Sequence, residues 1–288
     1  MQDKHQTLSK YTVQQFNKEY PDDTACLRAV LKNRYAETCP RCGTIGVKWH
    51  PITGRKGFVC SECDSHIYPL AGTIFENSTT SLWSWFYVIY LFSVARNGIS
   101  AREVERQLGV TYKTAWRMCR QIRLLMQDKS PMLEGTVEVD ETYIGGKYRR
   151  KYGFSKKAPV FGAIERGGYV KTTHVKSTGA RVLLPQIYSK VKTKTSIYSD
   201  DYRAYKKLAW FGYEHASVNH SRWQWADGDV CTNTIEGYWS HLKRSIRGTH
   251  CWVSKKHLQL YLDEHSFRYN HRNEVIFPYL VERVWTLS

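Results

Sequence analysis

The chain has 288 residues, with 43 Lys+Arg against 26 Asp+Glu and a formal charge of +17. Hydrophobic residues at 42% and charged residues at 24% exclude wholesale disorder, and the length suits two domains, or one with small attachments. Residues 1–130 carry 18 basic and 11 acidic side chains and residues 131–288 carry 25 and 15, a spread surplus that fits a polyanion, nucleic acid first, against the blander reading of a basic soluble enzyme.

Residues 1–17 are polar and lack the apolar core of a signal peptide. The most apolar run, 82–95, is shorter than the roughly 20 residues that span a bilayer and is interrupted by Ser84 and Ser93. A cytoplasmic protein with no membrane contact is expected, its eight cysteines reduced unless they hold metal. Four of them fall in two Cys-x-x-Cys knuckles, Cys39/Cys42 and Cys60/Cys63, separated by 17 residues. Each knuckle can place two thiolates on one ion, and two complete a tetrahedral shell, so the spacing predicts a zinc ribbon with two short strands rather than a redox dithiol. Cys26, Cys119, Cys231 and Cys251 have no ligand spacing.

Residues 71–128 read as helical. Trp83, Phe86, Tyr87, Tyr90 and Leu91 recur at helical spacing as a core stripe. Ser100 and Glu103 form a capping-box start, with Glu103 reaching back to the cap. Gly109 stops that helix, and the next has Ala115, Met118, Ile122 and Leu125 on its apolar side. Helix, glycine turn, helix predicts a helix-turn-helix whose second helix exposes Tyr112, Lys113, Arg117, Arg120 and Arg123 to DNA; an ordinary helical hairpin is the competing reading.

From Gly135 the pattern turns to strands. Residues 136–140 alternate and the run closes at Gly145-Gly146, while 160–164, the turn 166–168 and 169–175 predict a hairpin. Residues 179–191 read as a helix despite Pro185, 196–199 as a strand ending at Asp200, 202–210 as a helix and 214–218 as a strand. Residues 232–247 and 254–272 read as long helices. Strands followed by alternating helices and strands indicate an α/β domain, and the whole chain a multidomain α+β protein.

Two aspartates stand at strand ends, Asp140 and Asp200, and 35 residues separate the second from Glu236, near a helix start. Such a trio can hold two Mg²⁺ ions about 3.5–4 Å apart for in-line phosphoryl transfer. Lys243 follows Glu236 by two helical turns, on nearly the same face, suited to a phosphate. Between Asp140 and Asp200 lie 13 basic and two acidic residues, densest at Lys147, Arg149, Arg150, Lys151, Lys156 and Lys157. Glu138, Glu141 and Asp229 read as solvated or locally hydrogen-bonded groups, and Asp201 as a turn or cap.

With these motifs in order, the chain resembles bacterial insertion-sequence transposases that carry an N-terminal zinc ribbon and a DDE catalytic domain, a group related to the Merlin superfamily. The resemblance runs through Cys39-Pro-Arg-Cys-Gly43, Val137-Glu-Val-Asp-Glu-Thr-Tyr-Ile-Gly-Gly-Lys147, Ser199-Asp-Asp-Tyr-Arg-Ala-Tyr205, Thr232-Asn-Thr-Ile-Glu-Gly237 with Leu242-Lys-Arg244, and Phe267-Arg-Tyr-Asn-His-Arg272. It implies three parts: residues 1–70, a helical segment and zinc ribbon; 71–130, the helix-turn-helix; and 131–288, an RNase H-like catalytic domain. It further implies cleavage at inverted terminal repeats and joining of 3′-hydroxyl ends to target DNA, using Mg²⁺ or Mn²⁺ besides Zn²⁺. Asp140, Asp200 and Glu236 would form the acidic triad with Lys243 behind them. Asn233, one helical turn before Glu236, is the alternative third ligand or a substrate contact. Partners would be transposon-end and target DNA, and a homodimer or larger assembly, for which Trp239 and Trp252 offer surface; in a bacterial cell the protein would join the nucleoid. His220, Arg268 and Arg272 stand as either structural groups or DNA and site contacts. An RNase H-like nuclease or resolvase that never joins ends, and a zinc-ribbon, helix-turn-helix regulator without catalysis, are the competing functions.

Overall fold

The computed structural model describes residues 11–146, 157–218 and 229–285, and the chain divides into two compact units, Met1–Leu125 with Asn273–Ser288, and Met126–Arg272. Lys147, Arg149, Arg150, Lys151, Lys156 and His220 fall outside the described residues.

The first unit opens with α1 (Val13–Glu19), started by a Thr12–Gln15 capping box, and α2 (Asp23–Tyr35). A small antiparallel sheet follows, β1 (Trp49–Pro51), β2 (Phe58–Cys60) and β3 (His66–Ile67), three strands where two were expected. Residues 71–81, expected to be helical, are turns, because Gly72 and Asn77 adopt left-handed conformations that a helix cannot absorb. The helices proper are α3 (Leu82–Val94), α4 (Ala101–Leu108) and α5 (Tyr112–Leu125).

Of the stripe expected on α3 only Phe86 and Tyr90 are buried, while Trp83, Tyr87 and Leu91 are half-buried. Leu82, Trp85, Phe86, Val88, Ile89, Tyr90 and Phe92 are all buried, the signature of a helix surrounded by others. Its start is capped across the chain: the Asp23 carboxylate accepts from the backbone N–H of Leu82 (3.0 Å) and Trp83 (2.8 Å). Against α3 packs α9 (Ile276–Glu282), with Phe277 among the rings of Phe16, Tyr20 and Tyr90. The sequence reading keeps these last residues with the segment from 131; in the structure they cluster with the first unit, because Phe277 finds its aromatic partners there. Between α4 and α5, Gly109 takes the left-handed cap (φ 64°). Ser100 caps α4 through Glu103 N–H (3.1 Å), while the Glu103 carboxylate is engaged by Gln107 and Arg106 rather than turned back to the cap.

The second unit is a five-stranded sheet in the order β6-β5-β4-β7-β8. Its strands are β4 (Thr136–Ile144), β5 (Ala158–Glu165), β6 (Val170–His174), β7 (Ser196–Asp200) and β8 (Glu214–Val218). β4, β5 and β6 pair antiparallel; β4–β7 and β7–β8 pair parallel. Alternation along β4 sorts its side chains. Val137 and Val139 join one core with Phe161, Ile197 and the buried Leu183 and Ile187 of α6 (Ala180–Lys190). The opposite face, through Val160, Ile164 and Ile144, packs on α7 (Asn233–Ser245) and α8 (Leu258–Asn270). Residues 202–210 are not one helix but two 3₁₀ turns, Arg203–Tyr205 and Leu208–Phe211. Tyr205 and Leu208, both buried, sit at the three-residue spacing that such turns eclipse. Edge strand β6 is covered by α8: Asn270 bonds both backbone groups of Val170 and Gln259 accepts from His174 N–H, which satisfies an edge otherwise open to pairing.

Candidate active site

Only Asp200 ends its strand as expected; β4 runs on to Ile144 and leaves Asp140 at its middle, and the two aspartates meet through sheet register. β4 and β7 run parallel, with Thr136 opposite Ser196 and Glu138 opposite Tyr198; carried two residues further, the same register sets Asp140 level with Asp200, the last residue of β7. Glu236 comes to them on the first turn of α7, which lies on the Asp140 side of the sheet.

Two residues that local sequence reading passed over dock that helix. Glu138, expected to be solvated or locally bonded, is fully buried. Its carboxylate accepts from the backbone N–H of Thr234 (2.9 Å) and Ile235 (3.0 Å) and from the Thr234 hydroxyl (2.9 Å). An anion there meets both the unpaired first N–H groups and the positive end of the helix dipole. Arg166 balances the buried charge at 2.7 Å and also donates to the carbonyls of Asp229 (2.9 Å) and Cys231 (3.0 Å), fixing the approach to α7. The second is Gly162, which pairs with Asp140 across β4 and β5. A Cβ at Gly162 would stand 2.4 Å from the Trp239 ring. The bare glycine lets that ring lie on the sheet and donate its indole N–H to Asp140 Oδ2 (3.0 Å). Trp239 is therefore buried, and is not the interface surface expected of it. The one signal for Glu138 was its place: an acid two residues before Asp140 on an alternating strand shares its face.

The acids feel one another. Burial pushes Asp140 up to about 7, hydrogen bonds from Glu141 N–H and Trp239 oppose this, and the charges of Asp200 and Glu236 add to it. Glu141, on the other face of β4, is pushed up to about 8 by burial, although Tyr205 donates to it. Glu236 is exposed and accepts from the Thr232 hydroxyl (3.0 Å); Asn233 is exposed one turn earlier. Lys243 is lowered by burial, an effect that Asp140 opposes and that Lys157 and Arg247 reinforce. Asp140, Asp200, Glu236 and Lys243 thus form one electrostatic group.

The basic residues divide differently. Lys113 and Arg117 of α5 are exposed, with Arg117 also donating to Ser78 (2.9 Å), and Arg120 is half-buried. Arg123, expected beside them at the surface, is buried, donates to the Ile99 carbonyl and lies 5.2 Å from the Phe92 ring centroid. It lies one turn past buried Cys119 and next to buried Ile122, on the packed side of the helix. Arg268 pairs with buried Glu264 (2.8 Å), and Arg272 donates to the carbonyls of Gly167 and Gly168.

In the first unit, Cys39, Cys42, Cys60 and Cys63 bring their sulfurs within 4.8 Å of one another. Cys39 and Cys63 are 3.8 Å apart, the edge of a tetrahedron of sulfurs about 2.3 Å from zinc. Hydrogen bonding with Thr44 pulls Cys42 down to about 6, toward the thiolate that a metal needs. This is a four-cysteine cluster able to bind zinc.

Residues 132–270 match the family model for the ISXO2-like transposase domain. A Haemophilus influenzae protein described as an uncharacterized transposase-like protein is 34% identical over 101 residues, covering 35% of this chain and 80% of that one. An uncharacterized protein in transposable element ISH50 of Halobacterium salinarum is 29% identical over 267 residues, covering 85% of this chain and 89% of its own. A chain of the simian T-cell lymphotropic virus intasome, solved by cryo-EM in complex with PP2A regulatory subunit B56 gamma, is similar over 57% of this chain and 63% of its own. At 15% identity and a TM-score of 0.31, that likeness is too weak to bear on activity. With a DDE-family transposase domain and these relatives, the chain belongs to the insertion-sequence transposases.

Proposed function

We propose that the protein is an active DNA transposase that cleaves at terminal inverted repeats and joins 3′-hydroxyl ends to target DNA. Asp140, Asp200 and Glu236 are its acidic triad, in an RNase H-like catalytic domain. The observation that carries this reading is the convergence of these acids at one end of the sheet, from β4, β7 and α7. The strand order, with three antiparallel strands followed by two parallel ones, supports the fold assignment.

Crowded carboxylates that hold a proton on Asp140 near neutrality are a donor set suited to a hard divalent cation, Mg²⁺ or Mn²⁺. When bound, a pair of such ions would supply nucleophile activation and leaving-oxygen stabilisation for in-line displacement. The chain's own groups orient the site. Trp239 N–H holds one oxygen of Asp140, Thr232 holds Glu236, and Glu138 with Arg166 sets the helix that carries Glu236. Lys243 supplies positive charge for a DNA phosphate two turns beyond Glu236. Residues 1–70 with their zinc ribbon, and Lys113, Arg117 and Arg120 in the 71–130 helix-turn-helix, bind transposon-end DNA ahead of the 131–288 catalytic part. Two copies or more gather the two ends.

The test is a joining assay. Purified protein, Mg²⁺, a labelled pre-cleaved terminal-repeat duplex and a supercoiled plasmid should give label covalently attached to plasmid, lost in Asp140→Asn with duplex binding kept. Nicking without joining would make the protein a nuclease. Binding without cutting in Mg²⁺ or Mn²⁺ would make it a regulator.

A further inference from the structure

α7 does not end as an ordinary helix. Its last turn widens into a π-helical turn, Ile246–His250, and the next residue, Cys251, stands at φ 58°. Across from it, β4 ends in Gly145 and Gly146, both left-handed at φ 75° and 67°. π turns and left-handed non-glycine residues are destabilising by themselves and gather where the chain shapes a site. Here the two irregular segments enclose a cavity of about 460 Å³, within the range that holds a ligand of nucleotide size.

The lining has a definite chemistry. Lys157, Lys243 and Arg247 bring three cations, and among the described residues that line the cavity there is no Asp or Glu. Trp252 and Tyr143 bring aromatic surface, and both are exposed, Trp252 at 66% and Tyr143 at 41%. A tryptophan that open to solvent has given up the burial its size favours. Cations for phosphate beside an open aromatic face are the recognition elements of an unpaired nucleotide. An intact duplex hides its base faces and needs only the cations.

We propose that this cavity binds a single unpaired nucleotide of the DNA strand, its base stacked on Trp252 and its phosphate held by Lys243, Arg247 and Lys157. The proposal rests on the transposase reading and adds to it the form of DNA at the site. Lys243 follows Glu236 by seven residues, about 10 Å along the helix. At the 3.4 Å rise per nucleotide of duplex DNA, the held nucleotide lies within about three of the scissile phosphate. The site therefore takes a frayed or single-stranded end in preference to a blunt one.

Base–aromatic stacking tolerates any sequence, so arbitrary DNA serves as the probe. Two duplexes of the same sequence are compared without added Mg²⁺, one blunt and one ending in a three-nucleotide single strand that carries 2-aminopurine. The protein should prefer the overhang by about 5- to 100-fold and change the 2-aminopurine emission. Trp252→Ala should abolish both the preference and the emission change, and Trp252→Phe, which keeps a ring, should restore most of each. Arg247→Ala should weaken the overhang duplex more than the blunt one and lower the overhang's salt slope by about 1. Asp140→Asn should keep the overhang preference, which separates the cavity from cutting. Equal affinity for the two duplexes, or a preference that survives Trp252→Ala, overturns the cavity assignment and leaves the transposase reading standing. A protein that binds neither duplex at low salt overturns both.

Discussion

The four-cysteine cluster and the acid cluster are both places where side chains of one kind converge, and they are built in opposite ways. The cysteines lie within 25 residues, between Cys39 and Cys63, on and beside a sheet of three short strands with few buried apolar neighbours. With zinc bound, such a piece would draw most of its folding free energy from the metal. The acids come from three elements spread between Asp140 and Glu236, and the surrounding core is complete without them. A metal on the first site would stabilise the fold through its ligands; the second is held in place by the fold against the repulsion of its own charges.

That contrast makes its strongest prediction on the cysteines. Structural zinc contributes roughly 10–16 kcal/mol in small zinc domains, far more than a sheet of this size can supply. Cys39→Ser, or chelation, should strip hydrogen-exchange protection from residues 38–67 while the strands of the second unit keep theirs. Equal loss in both units would end the distinction.

Next in size is Glu138, where the helix bearing Glu236 is tied to β4. Glu138→Ala leaves Arg166 without its partner and the first N–H groups of α7 without an acceptor, and breaking a buried pair costs about 3–5 kcal/mol. Urea unfolding of the second unit should show it, with Glu138→Gln milder because its amide oxygen still accepts. Gly162→Ala comes third. A methyl driven into the Trp239 ring should destabilise by about 1–3 kcal/mol, and the Asp140 bond would be lost with the ring's shift, so DNA joining should fall by more than stability accounts for.

The smallest effect has the opposite sign. Asp140 is raised in the folded state from 3.8 to about 7. Its contribution to stability is therefore present below about pH 4 and is lost as pH rises through 7. Without divalent cations, Asp140→Asn should match the wild type at pH 4 and be the more stable of the two at pH 8. Added Mg²⁺ should narrow the gap by stabilising only the wild type. The cysteine ligands, replaced one by one, should never stabilise.

The same contrast governs what the sequence made legible. Cysteine spacing is a local pattern, and it located the four-cysteine cluster. Asp200 was legible as a strand end because the alternation stops there, whereas Asp140 was placed at an end although β4 continues to Ile144. Glu138 was misread because its partners, Thr234 and Ile235, are nearly a hundred residues away and no local pattern records them. Gly162 looked like any strand glycine until β5 was paired with β4 and a tryptophan from α7 was laid across it. Arg123 was misplaced for a related reason: it shares a helix with exposed Lys113 and Arg117, and only the packing of Phe92 and Ile99 shows that its side has turned inward. The 3₁₀ turns at 203–211 carry enough helix-forming residues to resemble a helix.

The central claim is that Asp140, Asp200 and Glu236 form one metal site, and Mn²⁺ binding followed by electron paramagnetic resonance on the zinc-loaded protein tests it most directly. The account predicts bound Mn²⁺ in the wild type and in Asn233→Ala, lost in Asp140→Asn, Asp200→Asn and Glu236→Gln, with zinc content unchanged in all five proteins. Undiminished Mn²⁺ binding in Glu236→Gln, or its loss in Asn233→Ala alone, would contradict it.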